Sequence, residues 1–352
     1  VRALREDDEL RALRGVPTPQ GLQLVERAAG DAGASMETIA RLREATAAYA
    51  SMLSEFSGGR NDLEATLAGW IPEERDRAER DARRSVFRGM TTLSGTRTGT
   101  IYNSLYLVPS PDSRERIDSL LVAVRQDVRR LQAGARILVM QITTETTAGV
   151  WGQERRTLEG SAIEGDPRTL LLPDLCSHPI PALDLDTSTA ERLAVRIAED
   201  ALDVNEFATL GFGWRTVEHF PRRRNQDVGY GQITMRAVHP AEALVMDLFV
   251  HEDVQLGGSP FTAIQLADQT TITVRRSPPA EDSTARTSAP PVLHLDAHPS
   301  GLHSQDVRAC KAIAENACRE AGYAPENFRK YRTRLEFPVL SEELTLWWPL
   351  AH

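Results

Sequence analysis

Cysteine, lysine and long apolar runs are all scarce in this 352-residue chain. Its three cysteines, Cys176, Cys310 and Cys318, are too few for the disulfide framework that staples small secreted domains. They favour a reducing compartment, and a cytoplasmic location is expected. No stretch reaches the ~18 consecutive apolar residues of a membrane-spanning helix, so no membrane partner is expected. The opening VRALREDDELRALR has no apolar core and does not read as a secretory signal. It also lacks an initiator Met, so the chain is expected to be part of a longer protein.

Lys311 and Lys330 are the only lysines, and every other basic side chain is Arg. This bias reads as GC-rich coding, with no arginine pattern suited to bidentate recognition. A formal net charge of −9 argues against a broad nucleic-acid footprint. Catalytic signatures are missing too: there is no G-x-S-x-G elbow, H-E-x-x-H pair, Walker loop or C-x-x-C. No cofactor is expected, and the expectation leans away from an enzyme.

Residues 36–56 carry Ile39, Leu42, Ala45, Tyr49, Leu53 and Phe56 at spacings of three and four, the stripe of an amphipathic helix. A second long helix is expected from Pro72 to Met90, with Pro in its first turn and acidic residues close behind. Residues 100–146 read as strand, helix, strand: TIYNSLYLV, then RERIDSLLVAVRQDVRRLQ with Ile117, Leu120, Leu121, Val124, Val128 and Leu131 in phase, then RILVMQI. That order predicts a βαβ crossover. AERLAVRIAEDALDV, residues 190–204, reads as a further helix. GWRTVEHF, YGQITMRAV, ALVMDLFVHEDV, FTAIQLA and TTITVRR read as strands. A strand at 292–296, a helix at 304–321 and strands near 333–338 and 344–348 complete the chain.

The expected fold is α+β: a helical region at 1–95, a βαβ-containing unit at 96–170 packed with it, a linker at 171–189, and a mixed-sheet domain at 190–352. Residues 277–291, SPPAEDSTARTSAPP, have the composition of a flexible excursion.

HLDAHPSGLH, residues 294–303, concentrates three of the eight histidines and suggests a metal site formed by His294, Asp296 and His298. Zinc needs three or four ligands converging at close range, and a strand end followed by a Pro-Ser-Gly turn fixes no such geometry. The plainer reading makes Asp296 a turn former and Ser304 a helix cap, and it is preferred. Cys310 and Cys318 share an apolar stripe with Val307, Ala314, Ala317 and Ala321, as core thiols do. His219, His239 and His251 sit beside Glu218, Glu242 and Glu252 on strands and read as solvated strand faces. YAPENFRKYRTR, residues 323–334, mixes aromatic and basic residues. Its aromatics are expected to anchor it while the basic tips stay in water.

AGDAGASMETIAR, residues 29–41, resembles the helix-turn-helix of bacterial DNA-binding proteins, with Gly33 in the turn and Ser35 capping the second helix. That resemblance implies DNA contact through Ser35, Thr38, Arg41 and Arg43. Against it, residues 1–65 hold eight Arg and eleven Asp or Glu, whereas a DNA-binding unit should be locally basic. An ordinary helix pair is preferred. A wider likeness covers residues 58–140, from GGRNDLEATLAGWIPEERD to VRRLQAGARILV. It is similar to the region that follows the DNA-binding domain in large bacterial helix-turn-helix regulators. It implies a regulatory or oligomerising module with a DNA-binding domain upstream, and it transfers no functional residue.

The leading expectation is therefore a non-enzymatic module sensing a small molecule or protein partner, with homo-oligomerisation open. Direct DNA binding through residues 24–43 ranks second. An enzyme with a site in the second-half sheet ranks third.

Overall fold

The computed structural model describes residues 12–13, 15–70, 72–143, 154–161, 166–189, 192–266, 278, 289–295 and 302–352. The chain is α+β and forms two compact units, Val1–Ala82 and Arg83–His352.

The first unit is helical: α1 is Pro19–Asp31, α2 Met36–Ser54 and α3 Arg60–Trp70, followed by α4, Pro72–Ser94, whose second half belongs to the other unit. Side chains cap the helix starts. Thr18 Oγ1 accepts from the Gly21 amide at 3.1 Å, and Ser35 Oγ from the Thr38 amide at 3.2 Å, satisfying donors that a first turn leaves open. Gly33, between α1 and α2, has φ +81°, which only glycine adopts freely. Tyr49, Leu53, Leu63 and Leu67 make the small core of this unit.

The second unit contains β1 (Thr96–Pro109), β2 (Arg116–Arg130), β3 (Ile137–Thr143), β4 (Arg155–Arg156), β5 (Leu183–Thr189), β6 (Arg192–Ile197) and β7 (Phe207–Pro221). It continues with β8 (Tyr230–Arg236), β9 (Ala241–His251), β10 (Phe261–Leu266), β11 (Leu293–Leu295), α5 (Cys310–Ala321), β12 (Phe328–Glu336) and β13 (Glu342–Pro349). The large sheet runs β11-β12-β9-β1-β2-β7-β4, and β10-β13-β8 and β3-β6-β5 form two smaller sheets. Among the described strands only β1 and β9 pair in parallel; the other strand pairs are antiparallel.

Both faces of the large sheet are covered. On one, α5 lays Ile313, Ala314 and Ala317 over Tyr102, Tyr106, Val122, Val245 and Phe249. On the other, Leu344, Leu346 and Trp348 of β13 pack on Leu105, Leu244, Met246 and Leu248. Further along that face, β3 and β6 bring Ile137, Val139, Val195 and Ile197 against Leu210 and Phe212 of β7.

Two expected helices are strands. The segment at 114–132 is β2, a hairpin partner of β1 from Thr96↔Arg130 to Pro109↔Ile117, so there is no βαβ crossover here. Burial on both faces made its apolar run nearly continuous. Bulges then imitated helical phase: the register against β7 slips between Ile117 and Ser119 and again between Arg125 and Val128, with Asp127 at φ 55°. The second, at 190–204, contains β6, whose Val195 and Ile197 point into the core with Arg196 between them. That is the period of two. The expected strands at 213–220, 230–238, 243–254 and 261–267 are present as β7, β8, β9 and β10. TTITVRR lies outside the described residues, as does most of 277–291. The C-terminal helix starts at Cys310, six residues later than expected, because Ala309 is left-handed at φ 56°. Residues 171–177 dock on β7, with Leu172 N bonded to Gly211 O and Ser177 N to Thr209 O.

Gly231 faces Trp348 across the β8–β13 pair, and a methyl placed there would lie 2.2 Å from the indole Nε1. Trp348 is fully buried and cannot yield. Gly231→Ala should therefore lower stability by about 1–3 kcal/mol through overpacking, read as a fall in Tm by circular dichroism. An unchanged Tm would mean that the indole is not packed on this strand.

Candidate functional site

The basic segment 323–334 divides: Arg329 and Arg334 are exposed as expected, whereas Lys330 and Arg332 are buried. It forms β12, and Lys330 and Arg332 both point under α5 to Asp247 on β9. The register opposes Arg332 to Asp247 and places Ser104 of β1 on the other side, so Tyr102 and Lys330, each two residues from those partners, share the face. Arg332 binds the carboxylate bidentately, Nε to Oδ1 at 2.6 Å and Nη2 to Oδ2 at 2.7 Å. The Tyr102 hydroxyl donates to Oδ2 at 2.9 Å, and Lys330 Nζ lies 3.2 Å from it. Burial, and next the Asp247 charge, push the Tyr102 phenol well above its usual range, so it acts as a donor. Arg332 also places Nη2 3.1 Å from Cys310 Sγ, a basic contact the sequence did not disclose. Arg83 and Arg334 make bidentate pairs as well, with Glu342 and Asp306, so arginine here is used for its fork.

This cluster fixes the chain that follows the histidine stretch. Arg332 Nη1 donates to His303 O at 2.9 Å, and Thr100 Oγ1 and Gln126 Nε2 donate to Asp306 O at 2.9 and 3.1 Å. Residues 302–309 are thus a strap across the sheet, and Ser304 accepts from the Asp306 amide rather than capping a helix. His294 is exposed on β11 with its ring stacked 4.9 Å from that of Tyr331. Asp296 and His298 lie outside the described residues. Among the described residues no group of three or more His, Cys, Asp and Glu converges as metal ligands.

The opposite face offers a different chemistry. Strand β2 marks where the two smaller sheets meet on that face: Leu121 packs with the β13 side and its register partner Trp214 with the β3–β6 side. Leu121, Trp214 and Arg125 are only half-buried, so the boundary is a groove reached by solvent. Arg125 donates through Nη1 to Asn103 Oδ1 at 3.2 Å and to Val124 O at 3.3 Å. Its Nε and Nη2 make no hydrogen bond among the described residues, nor does the amide nitrogen of the buried Asn103. Among the described residues no carboxylate faces this guanidinium, and burial draws its pKa down to about 10. It is still charged at neutral pH. Sequence reading passed over Arg125 because it was placed on a helix; read as strand, an arginine between Ala123 and Gln126 on a two-sided buried strand would have stood out.

The histidines expected on solvated strand faces are half-buried at 219 and 239 and buried at 251. His239, in the β8–β9 turn, accepts through Nε2 from the Leu138 amide at 2.6 Å. Burial, with Arg125 and Arg196 adding repulsion, lowers its pKa to about 4. His219 Nδ1 lies 2.6 Å from Ser119 Oγ, the spacing of a nucleophile and its base. Burial, then Arg155 and Arg116, push this histidine to about 3, and Ser119 is only 2% exposed. A base that weak beside a covered hydroxyl does not activate it at neutral pH. His251 is buried and accepts from the Asp253 amide at 3.2 Å.

In the first unit Ser35 and Thr38 are spent on the cap of α2, Arg41 pairs with Glu37 at 2.9 Å, and Arg43 with Glu26 at 2.6 Å.

Asp247→Ala takes the bidentate carboxylate from the buried Arg332 and should cost about 3–5 kcal/mol. Lys330→Met keeps the Arg332 fork and should cost less, both measured by denaturant unfolding. The reverse order would show that Lys330, not Arg332, holds the cluster. For His239 the unfolded chain takes its proton near pH 6.5 and the folded chain only near 4. Stability contributed by its neutral form is complete above 6.5 and drains away as pH falls toward 4. His239→Gln, which keeps an acceptor, should flatten the pH dependence of unfolding in that window, leaving the part due to His219. An identical slope would remove His239 from the account.

Neither the models of known protein families nor the curated proteins give a match to this chain. Among solved structures it is similar to a candidate protease from Parabacteroides distasonis, with 10% identity over 72% of this chain and 40% of that one, at a TM-score of 0.31. It is also similar to an M1 zinc metallopeptidase from Deinococcus radiodurans, with 10% identity over 72% and 42% and a TM-score of 0.25. The chain thus spans about two fifths of the length of these structures. At such TM-scores the likeness assigns neither a fold family nor an activity.

Proposed function

We propose that the second unit is a non-enzymatic sensing module for a small anionic ligand, cytoplasmic and part of a bacterial transcriptional regulator. The observation that carries this reading is Arg125: a charged guanidinium in a solvent-reached groove, held by one nitrogen and facing no carboxylate. A half-buried charge without a counter-charge is only partly solvated, and an anion in the groove relieves that cost. The groove lies where two smaller sheets share one face, so an occupant touches the packing of both. That position suits a module whose output is a change of arrangement rather than of covalent structure. The nearby histidines are held neutral and hydrogen-bonded, a supporting shell rather than acid–base machinery. No helix among the described residues is long and apolar enough to cross a membrane.

Binding to the folded state alone stabilises by RT ln(1 + [L]/Kd), about 2.7 kcal/mol at a hundredfold excess over Kd. A panel of small organic and inorganic anions at constant ionic strength should contain members that raise the Tm of the wild type and not of Arg125→Gln. A panel that shifts neither protein, or shifts both alike, would remove the groove as a sensing site.

A further inference from the structure

The engaged and open edges of Arg125 specify more than a negative charge. Its Nη1 is turned inward to Asn103 Oδ1 and Val124 O, leaving Nε and Nη2 as a parallel pair of donors. Two parallel N–H groups match the two oxygens of a planar carboxylate. Asn103, diagonal to Arg125 across the β1–β2 pair, spends its carbonyl on the guanidinium and keeps its amide N–H donors beside that fork.

The charge count sets the anion's valence. Arg125 faces no carboxylate, while Arg155 and Arg196 have interactions of their own and the adjoining histidines are neutral at pH 7. One positive charge in a half-buried groove balances a monoanion; a dianion would leave its second negative charge without a partner there. The neighbours on the same face are Leu121, Ala123 and Trp214, which suit an apolar or aromatic body.

From these we propose that the Arg125–Asn103 corner binds the carboxylate of a small free monocarboxylic acid, with its apolar body lying along Leu121, Ala123 and Trp214. This rests on the sensing role proposed above and narrows its ligand to one chemical class.

Isothermal titration of the full chain at pH 7 with sodium benzoate, benzamide, inorganic phosphate and the tripeptide Gly-Gly-Phe tests it. Benzoate should bind one to one, with benzamide and phosphate at least tenfold weaker. The tripeptide, carrying its carboxylate at a chain end, should also be at least tenfold weaker; binding as tight as benzoate would overturn the free acid as source. Arg125→Gln should weaken benzoate at least tenfold. Arg125→Lys, which keeps the charge but loses the fork, should do so nearly as far, and circular dichroism confirms that each variant is folded. Equal benzoate binding by a folded Arg125→Lys would overturn the bidentate site. Phosphate binding that Arg125→Gln abolishes, without benzoate binding, would overturn the carboxylate class and leave the sensing groove standing. Failure of every probe here, together with an anion panel that shifts no Tm, would overturn both.

Discussion

Asp247 is the residue on which the second unit turns. A carboxylate without solvent must be met by donors on every side, and here they come from two neighbouring strands, β1 and β12, and from Cys310 at the start of a helix. The requirement is severe because the cations are as costly to bury as the acid. Once Arg332 is committed, its remaining nitrogen holds the carbonyl of His303, and the strap from 302 to 309 follows. The cluster therefore ties β1, β9 and β12 to the segment that launches α5. Apolar packing of Ile313, Ala314 and Ala317 keeps the helix against the sheet, while the ion pairs set its lateral position.

Legibility from sequence followed the number of buried faces. α2, with one apolar stripe, and β8 and β9, bounded by turn residues, were readable in kind and nearly in extent. β2 was not: with both faces covered and two bulges along it, its apolar positions fell at helical intervals. That one misreading removed the groove from view, since Arg125 on a helix is an ordinary surface arginine and Arg125 on β2 is held between two sheets. The ionic cluster was hidden for another reason. Lys330 and Arg332 look like water-facing tips until the register shows Asp247 opposite them, and register is a long-range property. The histidine stretch, by contrast, drew attention through composition, and of its described histidines His294 stacks on Tyr331 and His303 lends a carbonyl to Arg332.

The two faces of the large sheet treat polar groups in opposite ways. Under α5, the donors of Tyr102, Lys330 and Arg332 close on the Asp247 carboxylate. Toward the smaller sheets, Arg125 and Asn103 hold each other by one bond and leave their remaining donors open. A protein that satisfies Asp247 so thoroughly while leaving Arg125 short of a counter-charge has placed its polar cost unevenly. Such local inconsistency is where binding sites are usually found.

The parallel pairing of β1 beside β9 has a consequence for how the chain is made. Tyr102 and Asp247, which meet across it, are 145 positions apart. The β1–β2 hairpin can form as soon as it is synthesised, but the other edge of β1 stays bare until β9 arrives. Throughout that interval the nascent chain exposes an apolar strand edge, the kind of surface that pairs with the wrong partner. High contact order at the centre of the sheet makes this a slow-folding protein whose vulnerable period is set by the ribosome.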